Sequence, residues 1–97
     1  MKPSVALELH RSGIRRVVEQ NGASNPRVFG SIVHGDDTDE SDIDLLVDPI
    51  DGKTTLISLL RIKREVEVLT GIRTDVATPM ALHERCRLAI LSEAAPV

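Results

Sequence analysis

Two acidic residues separated by one position, Asp42 and Asp44, stand at the start of an apolar run that continues to Val47. If this run is a β-strand, both carboxylates point to the same face, with their Cα atoms about 6.5–7 Å apart. Two negative charges at this distance repel each other, and a divalent cation between them removes the repulsion. Because Mg²⁺ prefers oxygen ligands, the pair predicts a magnesium site at the start of the strand.

A glycine and a serine, Gly30 and Ser31, end the preceding apolar run, and ten residues separate Ser31 from Asp42. A small hydroxyl residue that follows a glycine at a strand-to-helix junction can bring backbone N–H groups up to a phosphate. A phosphate-binding turn that faces paired carboxylates indicates nucleoside triphosphate chemistry on a metal ion. We therefore predict that Gly30 and Ser31 bind a nucleotide.

A third carboxylate, Asp75, lies in a later run of alternating residues, on the face opposite Val76. If Val76 packs beneath the helices, Asp75 projects to the same side of the sheet as Asp42 and Asp44. Three carboxylates would then converge on one or two metal ions, which can clamp a transferring phosphoryl group. One of the carboxylates can also act as the base for an attacking hydroxyl.

The periodicity of the chain indicates the elements that hold these residues. Helical spacing predicts a helix over 4–20 and another from a cap at Thr54 or Thr55 to a stop at Gly71. The expected apolar stripe of the second helix is Leu56, Leu59, Leu60, Lys63, Val66 and Leu69. The other predicted elements are strands over 27–29, 43–47 and 72–77, a helical turn over 31–34 and a last helix over about 80–93. Together they indicate one α/β (α+β) domain over residues 1–97, with a small mixed sheet flanked by helices.

The composition narrows the class of protein. The chain has 97 residues and a net charge of −3, which gives no electrostatic basis for binding long nucleic acids. A single cysteine, Cys86, an early charged residue and the absence of a long apolar run favour a cytoplasmic protein without a secretory signal or membrane span. Phe29 is the only aromatic residue, so the core must be aliphatic and small, and a partner chain would stabilise it.

Several other polar residues are better explained without chemistry. The acidic run of Asp36, Asp37, Asp39 and Glu40 is expected to be a solvated loop, since a Ca²⁺ loop would need a glycine and a closing glutamate where aspartates stand. His83 and Cys86 lack the second pair of ligands that a zinc site needs. The cluster of Arg61, Lys63 and Arg64 is expected to be a solvated helix face rather than a phosphate clamp.

The motif Gly-Ser-(ten residues)-Asp-x-Asp, within Val-Phe-Gly-Ser and Ser-Asp-Ile-Asp-Leu-Leu-Val, resembles the nucleotidyltransferase superfamily of DNA polymerase β and kanamycin nucleotidyltransferase. In size the chain is similar to the minimal nucleotidyltransferases, which are often the antitoxin partners of HEPN-domain toxins. The resemblance covers essentially the whole chain. It implies a fold like the palm of polymerase β, with Asp42, Asp44 and Asp75 as metal ligands and catalytic residues.

The resemblance also implies an activity and a partner. The expected reaction is a Mg²⁺-dependent transfer of AMP from ATP to a hydroxyl, by family analogy that of a tyrosine in a cognate HEPN toxin, within a hetero-oligomer. Gly30 and Ser31 would hold the triphosphate. The chain departs from the family at His34, where members often carry an arginine, and a histidine is mostly uncharged at neutral pH. This difference puts the rate of catalysis in question.

Two other functions remain open. The chain could neutralise a toxin by masking it, without catalysis, and replacing Asp42 and Asp44 would distinguish this role from the enzyme's. It could instead transfer a nucleotide to a small molecule, as in aminoglycoside resistance. We consider that function the weakest, because 97 residues leave no room for a second, substrate-binding domain.

Overall fold

The computed structural model describes residues 1–97 and contains a four-stranded sheet with helices. The sheet has the order β3-β2-β1-β4, in which β2 and β3 are parallel and the other two pairs are antiparallel. The prediction of a mixed sheet in an α/β domain is therefore confirmed. The elements are α1 (Pro3–Gln20), β1 (Ala23–Phe29), α2 (Ser31–His34), β2 (Ile43–Pro49), α3 (Leu56–Thr70), β3 (Thr74–Ala77), a 3₁₀ turn (Pro79–Ala81), α4 (Glu84–Glu93) and β4 (Ala95–Pro96).

The core lies between one face of the sheet and the helices α1 and α3. It is built from aliphatic side chains of all these elements, as expected for a chain with one aromatic residue: Leu7, Ile14, Val18, Ala23, Val28, Ile43, Leu45, Val47, Ile62, Val66 and Val97. The alternate residues of β2 belong to this set, so the predicted alternation of that strand is confirmed. No helix of the structure combines the length and the apolar character needed to cross a membrane.

A glycine lets the two long helices approach each other. A Cβ atom at Gly13 would lie 2.8 Å from Cδ2 of Leu69, so a larger residue at this position of α1 would displace the Leu69 side chain of α3. Glycine inside a helix costs up to about 1 kcal/mol relative to alanine. Close packing of α1 on α3 is the structural reason for tolerating this cost.

The buried face of α3 differs from the predicted one. Leu56 and Leu60 are 72% and 57% exposed, while Ile62, which the predicted stripe omits, is fully buried. The buried line is Leu59, Ile62, Val66 and Leu69, at the same helical period but rotated around the axis. The predicted stripe was right at Leu59, Val66 and Leu69 but wrong at Leu56 and Leu60, because a helix with apolar residues around much of its circumference has no unique apolar face.

The C-terminal part also departs from the prediction of one helix over 80–93. Instead, α4 begins at Glu84, after the separate 3₁₀ turn, and the His83 side chain accepts a hydrogen bond from the Arg85 N–H at its start. The guanidinium of Arg87 donates to the carbonyl oxygens of Pro79 and Leu82, which ties the turn to the helix. The short strand β4, which was not predicted, pairs with β1.

Strands β1 and β3 have different lengths from those predicted. β1 begins at Ala23 because the predicted turn at Asn25 is a bulge inside the strand, where Asn25 has a φ of 50° and the register with β2 shifts. β3 begins at Thr74 rather than at residue 72. Both changes leave Asp44 and Asp75 within paired strands.

Candidate nucleotide and metal site

The register of three strands brings the predicted site residues together. Ile43 and Leu45 are fully buried on the helix-covered face, so Asp44 points to the opposite face. Asp44 stands opposite Phe29 at the end of β1 and opposite Asp75 in β3. Paired residues of neighbouring strands share a face, so Asp44 and Asp75 lie on the same side of the sheet. Gly30, which follows Phe29, lies next to Asp44 on the side of β1.

The charges of the three carboxylates act on one another. Burial raises the pKa of Asp44 above its usual value, and the negative charges of Asp75 and Asp42 raise this pKa further. Asp44 is half-buried among like charges, and both conditions disfavour its ionised form. Asp75 is exposed, at the open edge of this group.

The carboxylates fit a magnesium ion that shares its shell with a substrate. No group of three or more His, Cys, Asp or Glu side chains is arranged to hold a metal by itself. Mg²⁺ usually binds through one or two carboxylates together with water and substrate phosphates, so it does not require a complete protein cage. Asp42 and Asp44 can supply such a pair, and Asp75 lies beside it.

The turn after β1 approaches Asp44 so closely that only glycine fits there. Gly30 has a φ of 74° and a ψ of −139°, a region that residues with a side chain rarely adopt. A Cβ atom at Gly30 would lie well within 3.0 Å of Oδ2 of Asp44, closer than real Cβ contacts. The short helix α2 then begins at Ser31 and ends at Gly35, as predicted. The amides of this turn therefore stand beside the carboxylates.

His34, the last residue of α2, pairs with a residue of the last helix. Its Nε2 atom lies 2.8 Å from Oε2 of Glu93 at the end of α4. This pair links α2, which follows the Gly30 turn, to α4.

One acidic residue of the loop before Asp42 was misinterpreted from the sequence. Asp37 was expected to be solvated, but it is only 8% exposed, and its carboxylate accepts a hydrogen bond of 2.8 Å from the Ser4 N–H. This bond lowers the pKa of Asp37 below its usual value. Asp37 therefore caps the first turn of α1, for which Lys2 offers no side-chain cap. In the sequence, the absence of a capping side chain before Pro3 could have indicated that a distant residue caps this helix.

Comparison with known proteins supports the assignment made from this geometry. The family profile described as nucleotidyltransferase domain matches residues 11–96. The chain belongs to this family. It is 35% identical over 81 residues to a protein of Methanocaldococcus jannaschii assigned as a protein adenylyltransferase, a match that covers 84% of this chain and 86% of the relative. It is 30% identical over 87 residues to protein adenylyltransferase MntA of Thermococcus cleftensis, with 90% and 84% covered.

Solved structures of nucleotidyltransferases share the fold. A protein assigned as a minimal nucleotidyltransferase has a TM-score of 0.85 and 35% identity, with 97% of this chain and 95% of that chain covered. A toxin–antitoxin structure with AMP-PNP has a TM-score of 0.73 at 16% identity, with 88% and 69% covered. A structure of a mutant MntA toxin–antitoxin pair, in which two aspartates one residue apart are changed to glutamate, has a TM-score of 0.71 at 13% identity over the same shares. The predicted family, fold and enzyme class are confirmed.

Proposed function

We propose that this nucleotidyltransferase transfers AMP from ATP to a hydroxyl of a partner protein and requires Mg²⁺. The observation that carries the proposal is the ladder position of Asp44, between Asp75 and the Gly30 turn. Two relatives that carry the name protein adenylyltransferase support the same reaction. The structural neighbour with AMP-PNP, an ATP analogue, supports ATP as the donor.

In the proposed reaction, the Gly30 turn and Ser31 hold the triphosphate through backbone N–H groups and the serine hydroxyl. The acceptor oxygen attacks the α-phosphorus, the bond from that phosphorus to the oxygen bridging to the β-phosphate breaks, and pyrophosphate leaves. The acceptor proton passes to a carboxylate. We assign this role to Asp75, and its position opposite Asp44 in the ladder supports the assignment. Magnesium, held by Asp42 and Asp44 with Asp75 nearby, would neutralise the charge that accumulates on the phosphates.

We further propose that the acceptor is a tyrosine of a HEPN-domain toxin and that the modification silences the toxin. The two toxin–antitoxin neighbours support a partner of this kind. The acceptor hydroxyl must reach the α-phosphate over an open carboxylate face, so the partner would form one wall of the site in a hetero-oligomer.

A second function is a binding antitoxin that masks its toxin without catalysis. Two observations favour keeping it: His34 is paired with Glu93, where the family often has an arginine, and the three carboxylates form no ready-made metal cage. In this case the fold would be retained for contact with the toxin, and replacing Asp42 and Asp44 would leave protection intact.

The test is a mass measurement of the partner. The protein and the product of the neighbouring gene are incubated with ATP and Mg²⁺, and the partner is then weighed; each transferred AMP adds about 329 Da. We expect a gain that EDTA and Asp42→Asn abolish and that the control Asp36→Asn, an exposed aspartate of the same loop, leaves unchanged. Protection from the toxin without any mass gain would favour the binding antitoxin.

A further inference from the structure

The order of the strands gives the carboxylate pair two distinct sides. β1, which leads into the Gly30 turn, lies on one side of β2, and β3, with Asp75, lies on the other. In phosphoryl transfer, the attacking and leaving oxygens lie roughly in line with the phosphorus between them. A triphosphate held at Gly30 places its pyrophosphate on the β1 side. The acceptor hydroxyl therefore approaches from the β3 side, a step that rests on the proposed function.

Arg73 stands on this acceptor side, immediately before β3. Its carbonyl oxygen accepts a 2.9 Å hydrogen bond from the Ile43 N–H, so the parallel pairing of β2 and β3 begins one residue before Thr74. Thr74 is fully buried on the helix-covered face, and the alternation of a strand therefore directs Arg73 to the face of Asp75. In this register Arg73 is the neighbour of Asp42.

The guanidinium of Arg73 is exposed and takes part in none of the ion pairs of the structure. It borders a polar cavity of about 350 Å³ whose wall also includes Met1, residues 39–42 and residues 70–72. The cavity thus opens beside Asp42, and Asp44, Asp75 and the Gly30 turn lie outside its wall. A guanidinium offers five N–H donors in a fixed fork, which suits carboxylate and carbonyl oxygens.

We propose that Arg73 is an acceptor-binding residue. The segment of the partner protein that carries the acceptor hydroxyl lies in this cavity, and the Arg73 guanidinium donates hydrogen bonds to an oxygen of that segment. The contact sets which hydroxyl reaches the line of attack beside Asp42. Arg73 therefore determines acceptor specificity rather than nucleotide affinity.

A purely structural role for Arg73 would act through Glu67 at the end of α3. The carboxylate of Glu67 accepts hydrogen bonds from the Thr74 N–H at 3.0 Å and from Lys63 Nζ at 3.2 Å, which joins α3 to β3. The Thr74 bond is the main cause of the lowered pKa of Glu67, and Lys63 and the charge of Arg73 contribute to it. If Arg73 only supports this junction, Glu67→Gln must reproduce the effect of Arg73→Gln.

The experiment measures the steady-state constants of the transfer to the neighbouring gene product, for ATP and for the partner separately. We expect Arg73→Gln to raise KM for the partner about tenfold, as the loss of a hydrogen bond to a charged group does, and to leave KM for ATP unchanged. Arg73→Lys keeps the charge but not the fork of N–H donors, and should recover only part of the loss. Arg64→Gln, which removes an exposed charge from α3, and Glu67→Gln are the controls.

Calorimetric binding of the partner without ATP separates two kinds of failure. If the partner binds the wild-type protein but gains no mass, the proposed function is wrong. The inference about Arg73 then stands only if Arg73→Gln weakens that binding. A rise in KM for ATP instead of the partner would place Arg73 on the nucleotide side and overturn the inference. Kinetics equal to those of Arg64→Gln, or an effect that Glu67→Gln reproduces together with a lower Tm, would also overturn it.

Discussion

The two faces of the central sheet use the same strand for opposite purposes. On the helix-covered face, Ile43, Leu45 and Val47 of β2 are fully buried. On the other face, the alternate positions hold Asp42 and Asp44, near Asp75 of the neighbouring strand. The first face stabilises the fold by removing apolar surface from water, and the second gathers like charges that oppose folding. The candidate catalytic residue Asp44 is thus positioned by the packing of its sequence neighbours Ile43 and Leu45.

The difference extends to the titratable groups of the whole molecule. Five groups have clearly shifted pKa values, and for Glu8, Arg11, Asp37 and Glu67 the shift favours the charged form, because each has a hydrogen-bond partner of suitable charge or polarity. Asp44 alone is shifted towards the neutral form. No buried side-chain nitrogen or oxygen lacks a hydrogen-bond partner. An unfavourable charge in an otherwise satisfied structure indicates a functional site.

The largest effect is expected where the carboxylate face loses its charge. Asp42→Asn should reduce AMP transfer at least about a hundredfold, because a metal ion stabilises the transition state by several kcal/mol and about 1.4 kcal/mol is a factor of ten. The measurement is initial rate at saturating ATP across a Mg²⁺ titration. Asp36→Asn is the control, and a fully active Asp42→Asn variant would refute the metal assignment.

The contact between the glycine turn and Asp44 can be broken with a matched pair of variants. Gly30 and Gly52 both have a positive φ, but a Cβ atom at Gly52 meets nothing within 4 Å, whereas one at Gly30 meets the Asp44 carboxylate. Gly52→Ala should cost only the backbone strain, about 1–2 kcal/mol. Gly30→Ala should lower Tm further and abolish nucleotide binding, as followed by thermal unfolding and calorimetry. Equal behaviour of the two variants would contradict the close approach.

Ser31 should contribute less than the carboxylates. The hydroxyl offers one hydrogen bond to a phosphate, worth about 1.5–3 kcal/mol, so Ser31→Ala should weaken ATP binding by roughly one to two powers of ten. Calorimetric titration with ATP and Mg²⁺ measures the loss. Ser31→Thr, which retains the hydroxyl, is the control. A Ser31→Ala variant more impaired than Asp42→Asn would reverse the roles assigned to the two residues.

The sequence predicts the features of the two faces that depend on neighbouring residues. It misses the features that depend on contacts between residues far apart in the chain. The faces of β2 and the position of Asp75 were predictable because the alternation of a strand is local. The cap that Asp37 provides was not, because its partner, Ser4, lies 33 residues away and no periodicity connects them. The separation of α4 from the 3₁₀ turn likewise depends on Arg87, which binds carbonyl groups that only the folded chain presents.

The Asp37 cap gives a stability test of the loop that precedes the site. Asp37→Ala should lower the free energy of unfolding by about 1 kcal/mol, as other lost N-terminal helix caps do. Because the folded pKa of Asp37 is depressed, its contribution is present above the unfolded pKa of about 3.9 and is lost as the pH falls through the folded value. Urea unfolding at neutral and acidic pH measures both, with Asp36→Ala as the exposed control. An equally large effect of Asp36→Ala would contradict the cap.

The smallest expected effect is on stability, and it tests how strongly the like charges of the carboxylate face oppose folding. The folded pKa of Asp44 is raised, so the native state holds its proton more tightly than the unfolded state, and the free energy of unfolding falls as the pH rises through this range. Asp44→Asn should therefore raise Tm by a few degrees at pH 7 while abolishing transfer, and this gain should disappear below the unfolded pKa of about 3.9.

Mg²⁺ provides the complementary measurement for Asp44. If the ion binds the carboxylates, it should raise the Tm of the wild-type protein at pH 7 and have little effect on Asp44→Asn, because ligand binding stabilises only the state that binds it. Asp36→Asn should respond to Mg²⁺ as the wild type does. A Tm of Asp44→Asn below that of the wild type at pH 7 would mean that the Asp44 carboxylate stabilises the fold. The two faces of β2 would then not differ in the way that the pKa of Asp44 indicates.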